Sequence, residues 1–227
     1  MLVAIDGPAG SGKSSAAQAI ADHLGLVNLN TGATYRAVAL VALREEMDLE
    51  NESALVDIGA RMELSADGVD YGGESIPEDV LRSPEVSAAA SRVSAHPGLR
   101  HVLVERQRAA ARKAEASGGG AVVEGRDIGT VVLPQADLKI FLSASAEERA
   151  RRRALQTGRE SELERISKAM HNRDKRDSER EASPLKPAPD AVVLDTTGLS
   201  LESVVSRVVE LANERQGERP NNAEESS

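Results

Sequence analysis

The stretch Gly7-Pro8-Ala9-Gly10-Ser11-Gly12-Lys13-Ser14 limits the folds open to this chain more than any other. It follows a short apolar run at residues 2–6 and leads into residues 14–24, where Ala16, Ala17, Ile20 and Leu24 recur at helical spacing. A Gly-x-x-x-x-Gly-Lys-Ser pattern between a strand and a helix is a phosphate-binding loop, and a tight turn without a ligand is the weaker reading in that context. The spacing has a physical reason. Glycines let successive backbone N–H groups converge on phosphate oxygens without Cβ clashes. The helix that opens there adds the positive end of its dipole. Lys13 supplies a mobile charge for the β- and γ-phosphates, and Ser14 a hydroxyl for Mg2+. Gly7, Pro8, Ala9, Gly10, Ser11, Gly12, Lys13, Ser14 and Ser15 are the expected nucleotide-binding residues, with Ser14 as metal ligand.

The order of the remaining segments fits a doubly wound sheet. Gly25 stops the first helix, residues 27–29 read as a second strand, and residues 34–44 as a second helix. Residues 47–97 are polar and glycine-containing, with a hairpin expected around residues 69–73; they read as an insertion rather than core. An Arg-rich helix at 99–116 ends at Ser117-Gly118-Gly119-Gly120, and strands follow at 121–123 and 139–142. Two charged helices, 146–156 and 161–176, flank Thr157-Gly158, ahead of a strand at 191–194 and a helix at 199–213. From Gln216 the chain is polar and acidic, and residues 216–227 are expected to be a disordered tail. Apolar residues make up 40% of the chain and aromatics only 1%, so the core must come from Val, Leu, Ile and Ala, which suits a buried parallel sheet between Ala-rich helices. The expectation is one α/β domain over residues 1–215, in three layers around a five-stranded parallel sheet.

Several functions are disfavoured. A net charge of −9 is a poor match to nucleic acid, and the chain lacks aromatic residues for a stacking platform. With no cysteine there is no disulfide, thiolate metal site or thiol nucleophile. No apolar run approaches the ~20 residues needed to cross a bilayer. No signal-peptide pattern follows Met1, and no coiled-coil pattern is visible. A cytoplasmic monomer without membrane or nucleic-acid partners is expected.

The phosphate loop alone leaves the reaction open. A GTPase would need a base-reading Asn-Lys-x-Asp, which is absent; Asp195-Thr196-Thr197-Gly198 mimics a switch motif but reads as a strand end and helix entry. A kinase for a phosphorylated acceptor must bring two polyanions together, so arginines must converge from several segments. Four segments qualify: 30–36, 124–130, 149–153 and 173–180, the first two at strand C-termini, where open α/β sheets bind ligands.

The phosphate loop, Thr31-Gly32-Ala33-x-Tyr35-Arg36, Gly125-Arg126-Asp127-x-Gly129-Thr130-Val131-Val132 and Arg173-Asp174-x-Arg176-Asp177 before Pro184-Leu185 occur in one order and spacing. In these the chain resembles the bacterial cytidylate (CMP) kinases, P-loop nucleoside monophosphate kinases, over nearly its whole length. The resemblance implies ATP and Mg2+, with CMP or dCMP as acceptor. It implies a monophosphate-binding insertion at about 59–98 and a lid at about 149–163. Arg36, Arg126 and Arg180 would hold the acceptor phosphate, a task for bidentate guanidinium groups. Ser91, Arg100 and Asp127 would read the cytosine edge, and Thr31, Arg173 and Asp177 would lie near the acceptor phosphate and sugar. Arg149, Arg152 and Arg153 resemble lid arginines; Lys13, Arg126, Arg149, Arg153 and Arg180 would be the catalytic set. Asn30 departs from the Asp common in the family, and Glu124 is placed to orient a Mg2+-bound water.

Plainer readings stand beside these. Glu147, Glu148, Glu160 and Glu162 could neutralise the 149–153 arginines on a solvated face. Gly125-Arg126-Asp127 could be a turn with a surface ion pair, Asp177 and Arg180 an i,i+3 pair, and Ser91 part of an ordinary Ala/Ser helix. The four histidines lack metal-ligand spacing, and Tyr35 reads as a packing residue. The alternatives are a kinase for another acceptor such as UMP, or a nucleotide-regulated binding protein without turnover.

Overall fold

The apolar strand ahead of the phosphate loop, β1 (Leu2–Asp6), lies at the centre of a five-stranded parallel sheet. The computed structural model describes residues 1–217. After β1 come α1 (Lys13–Leu24), β2 (Val27–Asn30), α2 (Thr31–Arg44) and α3 (Glu52–Ala60). Three short strands follow, β3 (Met62–Ser65), β4 (Gly68–Tyr71) and β5 (Glu74–Ile76), then α4 (Glu78–Leu81), α5 (Pro84–Val93) and α6 (Pro97–Ala116). The chain returns to the large sheet as β6 (Ala121–Glu124), makes a π-helical turn (Ile128–Val132), and continues as β7 (Leu138–Ser143). It ends with α7 (Ala146–Thr157), α8 (Leu163–Glu179), β8 (Val192–Asp195) and α9 (Leu201–Gly217).

The strands run in the order β2-β6-β1-β7-β8 with every pairing parallel, so the expected five-stranded parallel sheet is present. Alternation along β1 explains the three layers. Val3 and Ile5 join Ala16, Ala17 and Ile20 of α1 and Val208 and Ala212 of α9. Ala4 faces the other way, into a cluster with Ala37 of α2 and Leu99 and Leu103 of α6. Small alanines on α1 and α2 let these helices approach the sheet closely, so the core closes with almost no aromatic residues.

Three expectations are corrected. The 47–97 segment is not apart from the core: Leu55, Ile58, Met62, Val69, Leu81, Val86 and Val93 are buried in one apolar cluster with Leu29 and Val123. Its few apolar residues are spread over short helices and a three-stranded antiparallel sheet, so no single window shows their common face. The expected hairpin is present, with Gly72-Gly73 joining β4 to β5. Helix α2 starts at Thr31 rather than residue 34, immediately after β2, because the Thr31 hydroxyl donates to Glu124 O at 2.7 Å and ties the helix start to β6. Helix α9 runs through Gly217, so the first two residues of the expected tail are helical, and residues 218–227 lie outside the described region. Asp195 accepts from Thr197 N and Oγ1 at 2.9 and 2.6 Å, making the expected strand-to-helix turn.

Strand C-termini all open on one edge, which collects the phosphate loop, Thr31 and the 125–127 turn. Gly125 is packed so closely there that a Cβ would lie 2.6 Å from both Thr31 Oγ1 and Ile128 Cδ1. Gly125→Ala should therefore overpack the turn and lower stability by about 1–3 kcal/mol. The urea midpoint should fall with an unchanged m-value; an unshifted midpoint would show that the turn yields freely.

Candidate active site

The phosphate loop is shaped by what covers it. Gly12, with φ 89°, caps α1 without a side-chain hydrogen bond, leaving first-turn amides available to an anion. Gly10 has φ 73°, and a Cβ there would come within 2.7 Å of Arg149 O and Met170 Cε, so α7 and α8 rest directly on the loop. Ala9 packs against Ala154, Ile166 and Met170 in the same contact. Lys13 Nζ donates to Pro8 O at 2.7 Å, and burial, reinforced by Arg126, pushes its ammonium down to about 7. Ser15 is exposed on α1, and Ser11 is buried beneath the loop.

Ser14 Oγ donates to Glu124 Oε2 at 2.9 Å, while the buried Glu124 Oε1 has no partner among the described residues. Burial raises the Glu124 pKa, and Lys13 opposes that shift. A hydroxyl and one carboxylate beside a phosphate cradle are the donor set Mg2+ takes when substrate phosphates and water complete its shell. The residues present fit that ion.

On the acceptor side, guanidinium groups crowd around two carboxylates. Arg100 Nη2 donates to Asp127 Oδ2 at 2.5 Å, both side chains being nearly buried, and Arg180 lies 4.0 Å from Asp127 Oδ1. Asp177 faces Arg126 at 3.5 Å, Arg180 at 3.8 Å and Arg173 at 4.0 Å. Arg126 Nη1 also donates to Gly7 O at 2.9 Å, which joins this cluster to the phosphate loop. Arg36 reaches Asn30 Oδ1 at 3.5 Å. The Arg180 side chain extends from the C-cap of α8 and donates from Nε to Ser183 O at 2.5 Å, so it is more than a partner for Asp177 on one helix. Burial, with Arg126 beside it, pulls Arg173 down to about 10, and burial also lowers Arg36 and Arg180. These are cations short of counter-charge.

Buried polar atoms lacking a partner are rare in folded proteins. Here, among the described residues, they are Arg36 Nε, Ser91 Oγ, Arg100 Nε, Glu124 Oε1, Arg173 Nε, Asp177 Oδ2 and Arg180 Nη2, with only Asn28 Oδ1 elsewhere. Every other one belongs to a residue expected in the site from sequence. Together they describe a cleft built to hydrogen-bond a polar, anionic molecule.

The arginines of α7 divide into three uses. Arg149 reaches the phosphate loop, donating to Ala9 O at 3.0 Å and pairing with Asp174. Arg152 is held by Glu148 Oε1 at 2.7 Å and by Thr196 Oγ1 and O at 2.9 and 2.6 Å, so it anchors the helix, while the exposed Arg151 pairs with Glu148 on the same helix. Arg153 Nη1 donates to Gln156 Oε1 at 3.0 Å, and burial near Arg82 and Arg159 lowers its pKa. The plainer reading thus holds for Arg151 and Arg152. Asp174, inside a quoted motif but given no role, accepts from Ala9 N at 3.1 Å and binds Arg149 to the loop. Gln107 is a second omission: buried on α6, it donates to Thr34 Oγ1 at 3.1 Å, and Thr34 donates to Thr31 O. Neither had a local signal, because each acts on a segment far away in sequence. Tyr35 does pack, with the Arg100 guanidinium 5.3 Å from its ring centre.

Glu148 gives a pH test of the α7 anchor. Hydrogen bonds from Arg151 and then Arg152 hold its carboxyl at about 2, below the ordinary 4.5. A depressed carboxylate stabilises the fold above its unfolded pKa and loses that contribution as the pH falls through the folded one. Glu148→Gln should lower Tm by about 1–3 °C at neutral pH, and the gap should close between pH about 5 and about 2. A gap that stays constant across that range would show that ionisation of Glu148 is irrelevant.

Comparison with known proteins agrees with this geometry. The cytidylate kinase family model matches residues 3–214. A cytidylate kinase of Geobacillus sp. (strain WCH70) is 46% identical over 224 residues, covering 95% of this chain and 97% of the relative. One from Desulfitobacterium hafniense (strain Y51) is 46% identical over 228 residues, covering 95% and 94%. A crystal structure of an uncharacterized protein from Eubacterium ventriosum ATCC 27560 shares the fold at TM-score 0.53 and 12% identity, covering 94% of this chain and 98% of that one. With the phosphate loop and all four arginine segments inside the matched region, the chain belongs to the cytidylate kinase family.

Proposed function

We propose that the protein transfers the γ-phosphate of ATP to CMP, and to dCMP, in a Mg2+-dependent reaction. The observation that carries this reading is the set of guanidinium and carboxylate atoms around Asp127 and Asp177 that are ion-paired but lack hydrogen bonds, joined to the phosphate loop through Arg126 and Gly7 O.

In this reading Lys13 and the loop amides hold the donor phosphates. Arg36, Arg126 and Arg180 hold the acceptor phosphate, and Thr31, Arg173 and Asp177 lie at its phosphate and sugar. Asp127, oriented by Arg100, accepts from the exocyclic amine of cytosine, with Ser91 beside it. Mg2+, held by Ser14 and oriented through Glu124, would neutralise charge on the transferring group. The acceptor phosphate is already an anion, so no side chain has to remove a proton, and alignment with arginine charge carries the rate. The insertion at about 59–98 would bind the monophosphate. The lid, with Arg149 and Arg153, would exclude water that could otherwise take the phosphoryl group. The enzyme is read as a cytoplasmic monomer acting on small molecules, and its net charge of −9 supports a partner other than nucleic acid.

Uracil lacks the amine, so UMP would leave the Asp127 carboxylate without a donor from the base at a cost of about 1–3 kcal/mol, roughly fivefold to 150-fold in kcat/KM. ADP formation from ATP and Mg2+, compared across CMP, dCMP, UMP, AMP and GMP, should show CMP and dCMP well ahead of UMP. Asp127→Ala should erode that preference. Turnover with a different monophosphate alone, or with none, would overturn the assignment.

A further inference from the structure

Asp6 is the last residue of β1, one position before the phosphate loop, and is only 4% exposed. Its carboxylate hydrogen-bonds the turn after β6 rather than the loop. Oδ1 accepts from Ile128 N and Oδ2 from Gly129 N, each at 2.8 Å. Those are the two amides that follow Asp127. The same turn is stitched to β1 and the loop on its other side, by Gly125 N to Ile5 O at 2.9 Å and Arg126 Nη1 to Gly7 O at 2.9 Å. The Asp127 carbonyl accepts from Val131 N and Val132 N at 2.8 and 3.1 Å and so starts the π-helical turn. Asp127 is therefore suspended between two clamps, and Asp6 supplies the whole of one.

The chemistry of that clamp is restrictive. Two amides point at one side chain, so it must offer two acceptor oxygens and no donor; only an ionised carboxylate does so. An asparagine would turn an N–H toward one of the amides. Placing a carboxylate there opposes the solvation preference of the charged form, and burial pushes Asp6 up to about 6. Lys13 of α1 and Asp127 of the turn are the charged groups facing it. A side chain needed only to end a strand would not require this charge.

We propose that Asp6 is a positioning residue for acceptor choice: by holding the Ile128 and Gly129 amides it fixes the backbone that aims Asp127 at the base, so that β1 sets acceptor selectivity as well as the phosphate loop. This rests on Asp127 reading cytosine, as proposed above. A displacement of a fraction of an ångström at Asp127 weakens a short charge-assisted hydrogen bond to the base.

The test is a double-mutant cycle of Asp6→Asn and Asp127→Ala, read as the CMP-to-UMP ratio of kcat/KM, with KM for ATP and Tm alongside. Asp6→Asn should lower the ratio by about threefold to tenfold, mainly through KM for CMP, with KM for ATP within about twofold of wild type. In the Asp127→Ala background it should leave the ratio unchanged. A ratio unaffected by Asp6→Asn in a folded protein, or equal losses on CMP, UMP and ATP, overturns the inference. If Asp127→Ala itself leaves the ratio intact, the reading of Asp127 fails instead. Should Asp6→Asn not fold, the wild-type ratio is measured between pH 7.5 and 5.5. CMP and UMP carry the same phosphate, whose titration near pH 6 cancels in the ratio. Protonation of Asp6 in that window should lower the ratio, and a flat profile overturns the inference.

Discussion

Strand β1 is paired in parallel on both sides, with β6 and β7, and the positions of the functional groups depend on that pairing. Parallel neighbours must end at the same edge, so the phosphate loop that leaves β1 meets the turn that leaves β6. Ile5 is in register with Glu124, and the next residue of each strand begins the chemistry: Asp6 with its two amides, and Gly125 ahead of Arg126 and Asp127. A helix connection on either side of the sheet keeps both strands buried, which is why they are built from Val, Ala and Ile. The site inherits its rigidity from the most buried part of the chain.

The cleft then concentrates charge that burial disfavours. Arg100, Arg126, Arg173 and Arg180 share Asp127 and Asp177, with Asp174 close to Arg126 and Arg36 beside Asn30. Removing ions from water costs several kcal/mol each, and pairs this imperfect do not recover it all. The lowered pKa values of Arg36, Arg173 and Arg180 have that origin. The balance is restored by the apolar clusters on both faces of the sheet, which carry the fold while the cleft remains short of anions. In the function proposed above, a phosphate ligand would supply the missing charge.

Helices α7 and α8 connect this cleft to solvent. Their fixed end is the Glu148–Arg152–Thr196 network, and Thr196 in turn bonds to Ser143 O on β7. Their working end is Arg149, shared between Ala9 O and the Asp174 carboxylate. In the function proposed above, an anion at the loop would compete for the same guanidinium. Gly10 permits that contact by leaving no side chain between loop and helices.

The phosphate loop, the succession of strands and helices and the arginine segments could be read from the sequence alone, because each depends on neighbours in the chain: glycine spacing, apolar periodicity, turns at strand ends. Sequence also separated Ser14 and Lys13 from the surrounding turn by chemistry. Tertiary structure decided which charges face which. Arg149 and Arg152 lie three residues apart on one helix, yet one meets the loop and the other Thr196. Asp6 looks like the polar end of a strand until β6 brings residues 128 and 129 against it, and the 47–97 segment looks like an excursion until its scattered apolar residues share one cluster. Local propensity acts over a few residues, whereas these contacts join residues from 44 to 140 positions apart or sum small apolar faces from several elements, and only the packed chain sets such distances.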